Sequence, residues 1–278
     1  MPTFSRLPTN KLSAETKLRY RAIFISDVHL GFAATNAAYL LDFLRSVECE
    51  TLYLVGDIVD IWQLKKKPCW PQAHNDVIRT ILGKAKHGTK IIYIPGNHDQ
   101  LLRAYTDHTF GNISVVNQAI HEKADGKRLL VTHGDQFDAA VVSSRWLGVL
   151  GRQAYSLLLG VNSWVNIVRR LTGRPYWSLA KHLKSKVKNA IKAISNYEQA
   201  VVEYARRHGV DGVVCGHIHR PEISQFGEIT YCNCGDWVES CTALVESAEG
   251  KLELLSWTET VAAREAASNS DEIEAQAA

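Results

Sequence analysis

Seven residues placed just past apolar runs could do chemistry together: Asp27 with His29, Asp57, Asn97, His133, and His217 with His219. Carboxylate, imidazole and amide oxygen in one set suit borderline divalent metals such as Mn²⁺, Fe²⁺ or Zn²⁺. Seven donors are too many for one ion; they suit two ions bridged by a single carboxylate. Residues two apart on a strand point to the same face, so Asp27 with His29, and His217 with His219, can converge on one ion just beyond a strand end. His98 and Asp99 follow Asn97 directly and add a further imidazole and carboxylate.

The elements that must position these groups are legible in the pattern. Ala22-Ile23-Phe24-Ile25-Ser26, Thr51-Leu52-Tyr53-Leu54-Val55, Lys90-Ile91-Ile92-Tyr93-Ile94, Arg128-Leu129-Leu130-Val131-Thr132 and Gly212-Val213-Val214-Cys215 each read as a strand that delivers one cargo at its C-terminal end. Open α/β sheets bind ligands at that end. Apolar residues at helical spacing predict helices over residues 36–47 and 72–87, the second closed by Gly88. This alternation argues for βαβ units and a mostly parallel sheet. A long helical region is expected over about 139–207, and antiparallel strands at 229–231, 242–245 and 252–255. Residues 1–20 are expected to form a flexible arm, residues 21–257 one domain, and residues 258–278 a disordered tail rich in Ala, Glu and Ser.

A chain of 278 residues, 46% hydrophobic, can bury a sizeable core, and a net charge of +3 carries no message as a global average. The six cysteines show no CxxC pair, and Cys215, Cys232 and Cys241 lie in apolar runs, which points to reduced thiols and a reducing cytoplasm. The first twenty residues lack an apolar leader, and no uncharged run approaches the ~18 residues of a spanning helix. A soluble or peripheral protein is expected.

Asp27-x-His29, Gly56-Asp57-x-x-Asp60, Gly96-Asn97-His98-Asp99, His133-Gly134-Asp135 and Gly216-His217-x-His219 together resemble the calcineurin-like metallophosphoesterase superfamily, all five blocks in order. The resemblance implies an α/β (α+β by some schemes) fold: a β-sandwich of two mixed sheets flanked by helices, with an inserted helical cap. It implies one ion held by Asp27, His29, Asp57 and His219 and another by Asp57, Asn97, His133 and His217. A hydroxide shared by the two ions would then attack phosphorus. It also implies that His98 serves the leaving group with Asp99 as its orienting partner, while Asp60 and Asp135 brace or cap loops rather than bind metal. Mn²⁺ is the first expectation, with Fe²⁺ and Zn²⁺ compatible.

Substrate must be read from outside the metal ligands. Residues 139–197 hold Arg145, Arg152, Arg169, Arg170, Arg174, Lys181, Lys184, Lys186, Lys188 and Lys192 but no Asp or Glu, interleaved with Trp146, Tyr155, Leu157-Leu158-Leu159, Trp164, Tyr176 and Trp177. Such a basic, apolar stretch suits an anionic membrane surface or an acyl-bearing substrate. A nucleic acid is the less favoured partner, since its grooves need charge and ring faces rather than leucine runs; a lid with a solvated basic face is the plain alternative. The layout, with Gly56-Asp57-Ile58-Val59-Asp60-Ile61-Trp62 and Gly216-His217-Ile218-His219-Arg220-Pro221, is similar to the UDP-2,3-diacylglucosamine diphosphatase family of lipid A biosynthesis. That resemblance implies cleavage of a pyrophosphate to UMP and a diacylated sugar 1-phosphate, on the cytoplasmic face of the inner membrane. Well-known members carry Arg where this chain has His98, and they lack the wording Asn233-Cys234-Gly235-Asp236-Trp237-Val238-Glu239-Ser240. A related nucleotide-linked glycolipid therefore stays open, as do cyclic nucleotides, other phosphodiesters and a non-catalytic scaffold. Arg103, Lys184 and Arg220 are candidates for pairing with substrate phosphate.

Overall fold

The computed structural model describes residues 17–140, 179–264 and 266, with the side chains of 139–192 outside that description. Strand β1 (Leu18–Ile25), helix α1 (Ala37–Ser46), strand β2 (Val47–Val55), the short helix α2 (Ile61–Lys66), helix α3 (Gln72–Lys86) and strand β3 (Lys90–Ile94) come first. Four short strands follow: β4 (His108–Phe110), β5 (Ile113–Val115), β6 (Ala119–Glu122) and β7 (Arg128–Val131). Helix α4 (Leu179–Arg207) precedes β8 (Gly212–Cys215), β9 (Glu222–Phe226), β10 (Ile229–Asn233), β11 (Thr242–Glu246) and β12 (Leu252–Ser256). The described residues fall into two compact units, one running up to Asp135 and resuming at Tyr204, the other from Gln136 to Glu203. In the second unit the Phe137 ring meets Tyr197 edge-on at 6.2 Å.

Two mixed sheets build the first unit, in the orders β12-β11-β1-β2-β3-β5-β4 and β6-β7-β8-β10-β9. The βαβ repetition is visible in the parallel run β1-β2-β3-β5, and β7-β8-β10 is parallel as well. Antiparallel neighbours then border both runs: short turns join the hairpins β4-β5, β6-β7, β9-β10 and β11-β12, and β11 lies antiparallel to β1. Alternation sorts the core into two layers. Ile23, Ile25, Leu52, Leu54 and Ile91 face α1 and α3 through Leu40, Phe43, Val77 and Ile81. Ala22, Phe24, Tyr53, Val55, Ile92 and Ile94 face Leu129, Val131, Val214 and Cys232 of the second sheet.

A buried polar chain also joins the sheets. Glu246 takes Arg21 Nη1 at 3.2 Å and His121 Nε2 at 2.6 Å, and His121 Nδ1 faces the Tyr53 hydroxyl at 3.1 Å. Burial pushes the His121 pKa down against the upward pull of Glu246. The ring is thus a neutral link, donating from Nε2 and accepting at Nδ1.

Several expectations need correction. The arm expected over 1–20 is already strand at Leu18, which pairs with Val47. The tail expected to be disordered from 258 is helical through residue 264. Its Ala and Glu are also strong helix formers, and two apolar anchors hold it: Trp257 is buried with its Nε1 donating to Asp42 at 2.9 Å, and Val261 packs on the core. Helix α2 and strand β9 went unforeseen, α2 because six residues carry no helical period and β9 because Glu222-Ile223-Ser224-Gln225-Phe226 mixes polar and apolar residues on both faces. Of the helical region expected over 139–207, helix is described over Leu179–Arg207, and residues 141–178 lie outside the described residues. All six cysteines are free thiols.

Candidate dinuclear metal centre

Parallel strands put their C-terminal ends on one side, and that is where the donors collect. β1 leads to Asp27 and His29, β2 to Asp57, β3 to Asn97 and His98, β7 to His133, and β8 to His217 and His219. The chain must bend sharply at each end. Asp27 (φ 51°), His29 (54°), Asp57 (54°), His217 (71°) and His219 (53°) all occupy the left-handed region. Such backbone costs on the order of 1–3 kcal/mol per residue and persists only where surroundings over-determine it. Cross-loop hydrogen bonds do that here. Asp27 N donates to the Gly56 carbonyl (3.0 Å) and His29 N to the Asp57 carbonyl (2.8 Å). His217 N donates to Asp27 Oδ2 (2.8 Å), and His98 N to Asp57 Oδ1 (2.7 Å).

Among the described residues the side chains form three groups, one of them His29 with Asp60 and His98. Donor atoms of Asp27, His29 and His219 lie within 4.8 Å of one another, as do those of Asp57, His133 and His217. His219 Nε2 stands 3.3 Å from Asp27 Oδ1 and 3.4 Å from His29 Nε2. Asp57 Oδ2 lies 3.5 Å from His133 Nε2 and 3.9 Å from His29 Nε2, so it faces both its own group and that of Asp27. Donors about 2.0–2.2 Å from a common ion would stand at roughly such mutual distances. Three buried donor atoms, Asp27 Oδ1, Asn97 Oδ1 and His133 Nε2, have no hydrogen-bond partner. Buried lone pairs without partners are costly unless a cation takes them. The residues fit two divalent ions.

Electrostatics agree with that fit. Burial raises the Asp27 and Asp57 pKa values, but the facing imidazoles of His219, His133 and His29 outweigh it and hold both carboxyls below the ordinary range. Burial lowers His133 and His219, yet the carboxylates of Asp57 and Asp27 outweigh it, raising them to about 10 and about 9. Protons on these rings stand where cations would.

Backing groups fix the rings. His29 Nδ1 meets Asp60 Oδ2 at 3.1 Å, and His133 Nδ1 donates to the Val55 carbonyl at 2.9 Å. Glycines make the room: a Cβ on Gly56 would sit 2.2 Å from the His133 ring, and one on Gly96 2.3 Å from Asp57 Oδ1.

The arrangement corrects the expected role of Asp99. Its carboxylate turns away from His98 and accepts Gly96 N (2.6 Å), Ile58 N (2.8 Å) and the Tyr93 hydroxyl (2.5 Å). It therefore knits the Asp57 loop to the Asn97 loop. The acid beside His98 is Asp60, with Oδ1 3.0 Å from Nδ1, a close ionic contact without hydrogen-bond alignment. Asp60 also caps α2 by accepting Gln63 N at 2.8 Å, and α2 carries Trp62, whose ring packs on His98 at 4.5 Å. Arg103 is committed to Asp135 (2.8 Å to each oxygen) and to the Pro95 carbonyl, so it braces the loops. Arg220 pairs with Glu222 at 3.1 Å and is half exposed. The Lys184 side chain lies outside the described residues.

Residue patterns alone missed Tyr93, Trp62 and Asp236. Asp236 follows Gly235 just past β10, repeating the glycine–aspartate wording of Gly56-Asp57 and Gly134-Asp135. That repetition was the available signal.

Comparison with known proteins follows the same lines. Residues 20–221 match the sequence profile of the calcineurin-like phosphoesterase family. The UDP-2,3-diacylglucosamine hydrolase of Vibrio vulnificus strain CMCP6 is 24% identical over 253 residues, covering 82% of this chain and 94% of that one. Those of Aeromonas salmonicida and Ralstonia nicotianae are each 27% identical, covering 83% and 80% of this chain and 92% and 84% of their own.

Proposed function

The chain belongs to the calcineurin-like phosphoesterase family and is a metal-dependent hydrolase; from that premise we propose that it cleaves the pyrophosphate bond of UDP-2,3-diacylglucosamine or a related nucleotide-linked glycolipid. The relatives named for UDP-2,3-diacylglucosamine span four-fifths of the chain, which supports this substrate class. The observation that supports the chemistry is the gathering of Asp27, His29 and His219 in one cluster and Asp57, His133 and His217 in another, with buried Asp27 Oδ1 and His133 Nε2 lacking hydrogen-bond partners.

Asp27, His29, Asp57 and His219 would hold one divalent ion and Asp57, Asn97, His133 and His217 the other; Mn²⁺ is the first candidate for both. Such ions, when bound, draw charge off the phosphate oxygens and lower the pKa of water towards neutrality. The chain's own residues do the rest. Asp57 joins the two sites. Tyr93 and Asp99 hold its loop against that of Asn97. His98, with Asp60 at Nδ1 and its Nε2 3.9 Å from Asp57 Oδ2, would give a proton to the bridging oxygen that departs as water adds to phosphorus, so the products leave as UMP and a diacylated sugar 1-phosphate. Help of this kind is worth about 10²–10⁴-fold. The basic and apolar residues of 139–197 support acyl-chain contact and a peripheral stay on the cytoplasmic face of an inner membrane. Among the described residues no helix is long and apolar enough to cross a membrane.

The test is turnover by the purified, Mn²⁺-loaded chain. UMP released from UDP-2,3-diacylglucosamine, and lost in Asp57→Ala, is the expected result. No UMP alongside rapid hydrolysis of cyclic nucleotides or a chromogenic phosphodiester overturns the substrate and keeps the metal chemistry.

A further inference from the structure

Each imidazole of the centre needs something behind it. A histidine that binds metal through one nitrogen nearly always donates its other N–H to a carboxylate, carbonyl or water, which fixes tautomer and ring direction. Asp60 stands behind His29 and the Val55 carbonyl behind His133. Behind His219 stands Asp236, its Oδ2 3.9 Å from Nδ1, while Nε2 on the opposite side faces Asp27 Oδ1 at 3.3 Å.

Asp236 is built into its place. It is 1% exposed. Its Oδ1 accepts the backbone N–H of Val238 (2.7 Å), Glu239 (2.5 Å) and Ser240 (3.3 Å), and Ser240 Oγ stands 3.0 Å from Oδ2. Gly235 before it has φ +78°, and a Cβ there would sit 2.1 Å from Thr242 Oγ1, so the turn admits no other residue without rearrangement. The next residue, Trp237, donates its backbone N–H to the Asp27 carbonyl at 3.1 Å. One turn thereby touches both His219 and Asp27.

We propose that Asp236 is a positioning residue for the ion held by Asp27, His29, Asp57 and His219: its Oδ2 takes the Nδ1 proton of His219 and aims the Nε2 lone pair at that ion. Oδ1 builds the turn and Oδ2 serves the ring. Closing 3.9 Å to hydrogen-bond length needs a ring shift of about 1 Å. The proposal rests on the two-ion reading above.

Asp236→Asn separates the two roles, because the amide keeps an oxygen for the three backbone N–H groups but turns a donor towards His219 Nδ1. The full chain, stripped of metal, is titrated with Mn²⁺ calorimetrically. Wild type is expected to take two ions; the variant is expected to bind one unchanged and the other about 10–100-fold more weakly, with the thermal midpoint of the metal-free chain unmoved. Two wild-type affinities in the variant overturn the proposal. So does a lowered midpoint with both sites weakened alike, which is the behaviour of a turn and nothing more. Should the variant not fold, the Nδ1 proton of His219 in the Zn²⁺-loaded wild type decides: a strongly deshielded, slowly exchanging proton supports the hydrogen bond to Asp236, and one that exchanges freely with solvent overturns it. A wild-type chain that binds no Mn²⁺ counts against the two-ion reading instead.

Discussion

The carboxylate of Asp60 lies 3.0 Å from Nδ1 of His98, and its other oxygen lies 3.1 Å from Nδ1 of His29. One acid thus steadies both the ring assigned to the leaving group and a ring assigned to metal. Burial raises the Asp60 pKa, but contacts with His29, His98 and Gln63 N outweigh it and hold it below the ordinary carboxylate range. Asp60→Asn keeps the cap on α2 and removes the charge. We expect hydrolysis of a chromogenic phosphodiester to fall about 10–100-fold with little change in thermal midpoint, and His98→Ala to cost about 10²–10⁴-fold. The double variant should cost less than the product of the two, since both act through one contact; a strictly multiplicative loss refutes the linkage.

Asp99 is a brace, and Tyr93 tests it. Tyr93→Phe leaves the amides of Gly96 and Ile58 on the carboxylate but removes its shortest partner. Burial already holds the Asp99 pKa up, so the lost hydroxyl leaves a poorly solvated acid. Chemical denaturation should show a loss of about 1–3 kcal/mol. The pH dependence of turnover should keep its shape, because Asp99 does not touch His98. A displaced profile would return Asp99 to a role at the reacting atoms.

Glycine substitutions should differ in sign according to what a Cβ meets. Gly96→Ala drives a methyl into Asp57 Oδ1 at 2.3 Å and the Asp57 backbone at 2.7 Å. That variant should lose Mn²⁺ binding and thermal stability together. Gly83 lies inside α3 with nothing within 4 Å, so Gly83→Ala should stabilise by about 0.5–1 kcal/mol. Differential scanning calorimetry reads both. Equal effects would mean that the cradle around Asp57 yields more easily than its distances imply.

Two buried histidines set an acid limit on stability. His74, pushed below the ordinary 6.5 by burial, accepts the Gly31 N–H at its Nδ1 (3.1 Å), and His121 is lowered by burial as well. Their folded pKa values lie under the unfolded one, so between the two the unfolded chain binds more protons. Their contribution is therefore present above pH 6.5 and lost as pH falls below it. The urea midpoint of the metal-free chain should drop on going from pH 6.5 towards 5. In His74→Asn, whose side-chain oxygen can take the same N–H, the drop should be shallower. A slope identical to wild type would remove His74 from the account.

How much was legible beforehand depends on the range of the interaction. Strands β1, β2, β3, β7 and β8 were recognisable because an apolar run followed by Gly, Asp or His is a local pattern. Helix α2 was not, since six residues carry no period and its start depends on Asp60 reaching back to Gln63. The helix after β12 was hidden by a composition that serves disorder and helix alike, until Trp257 found Asp42 across the fold.

By itself the sequence determined the inventory: which donors exist, and that each stands just past an apolar run, because strand periodicity and glycine turns are properties of neighbours in the chain. Only the tertiary structure decided the partnerships. Asp99 is adjacent to His98 in sequence yet faces Tyr93, while Asp60, 38 positions earlier, faces His98. Asp236 lies beside His219 because β10 runs parallel to β8 and ends at the same edge. Left-handed turns at five donors reverse the direction in which each side chain points. Sequence spacing cannot report that reversal, since it is set by hydrogen bonds between loops far apart in the chain.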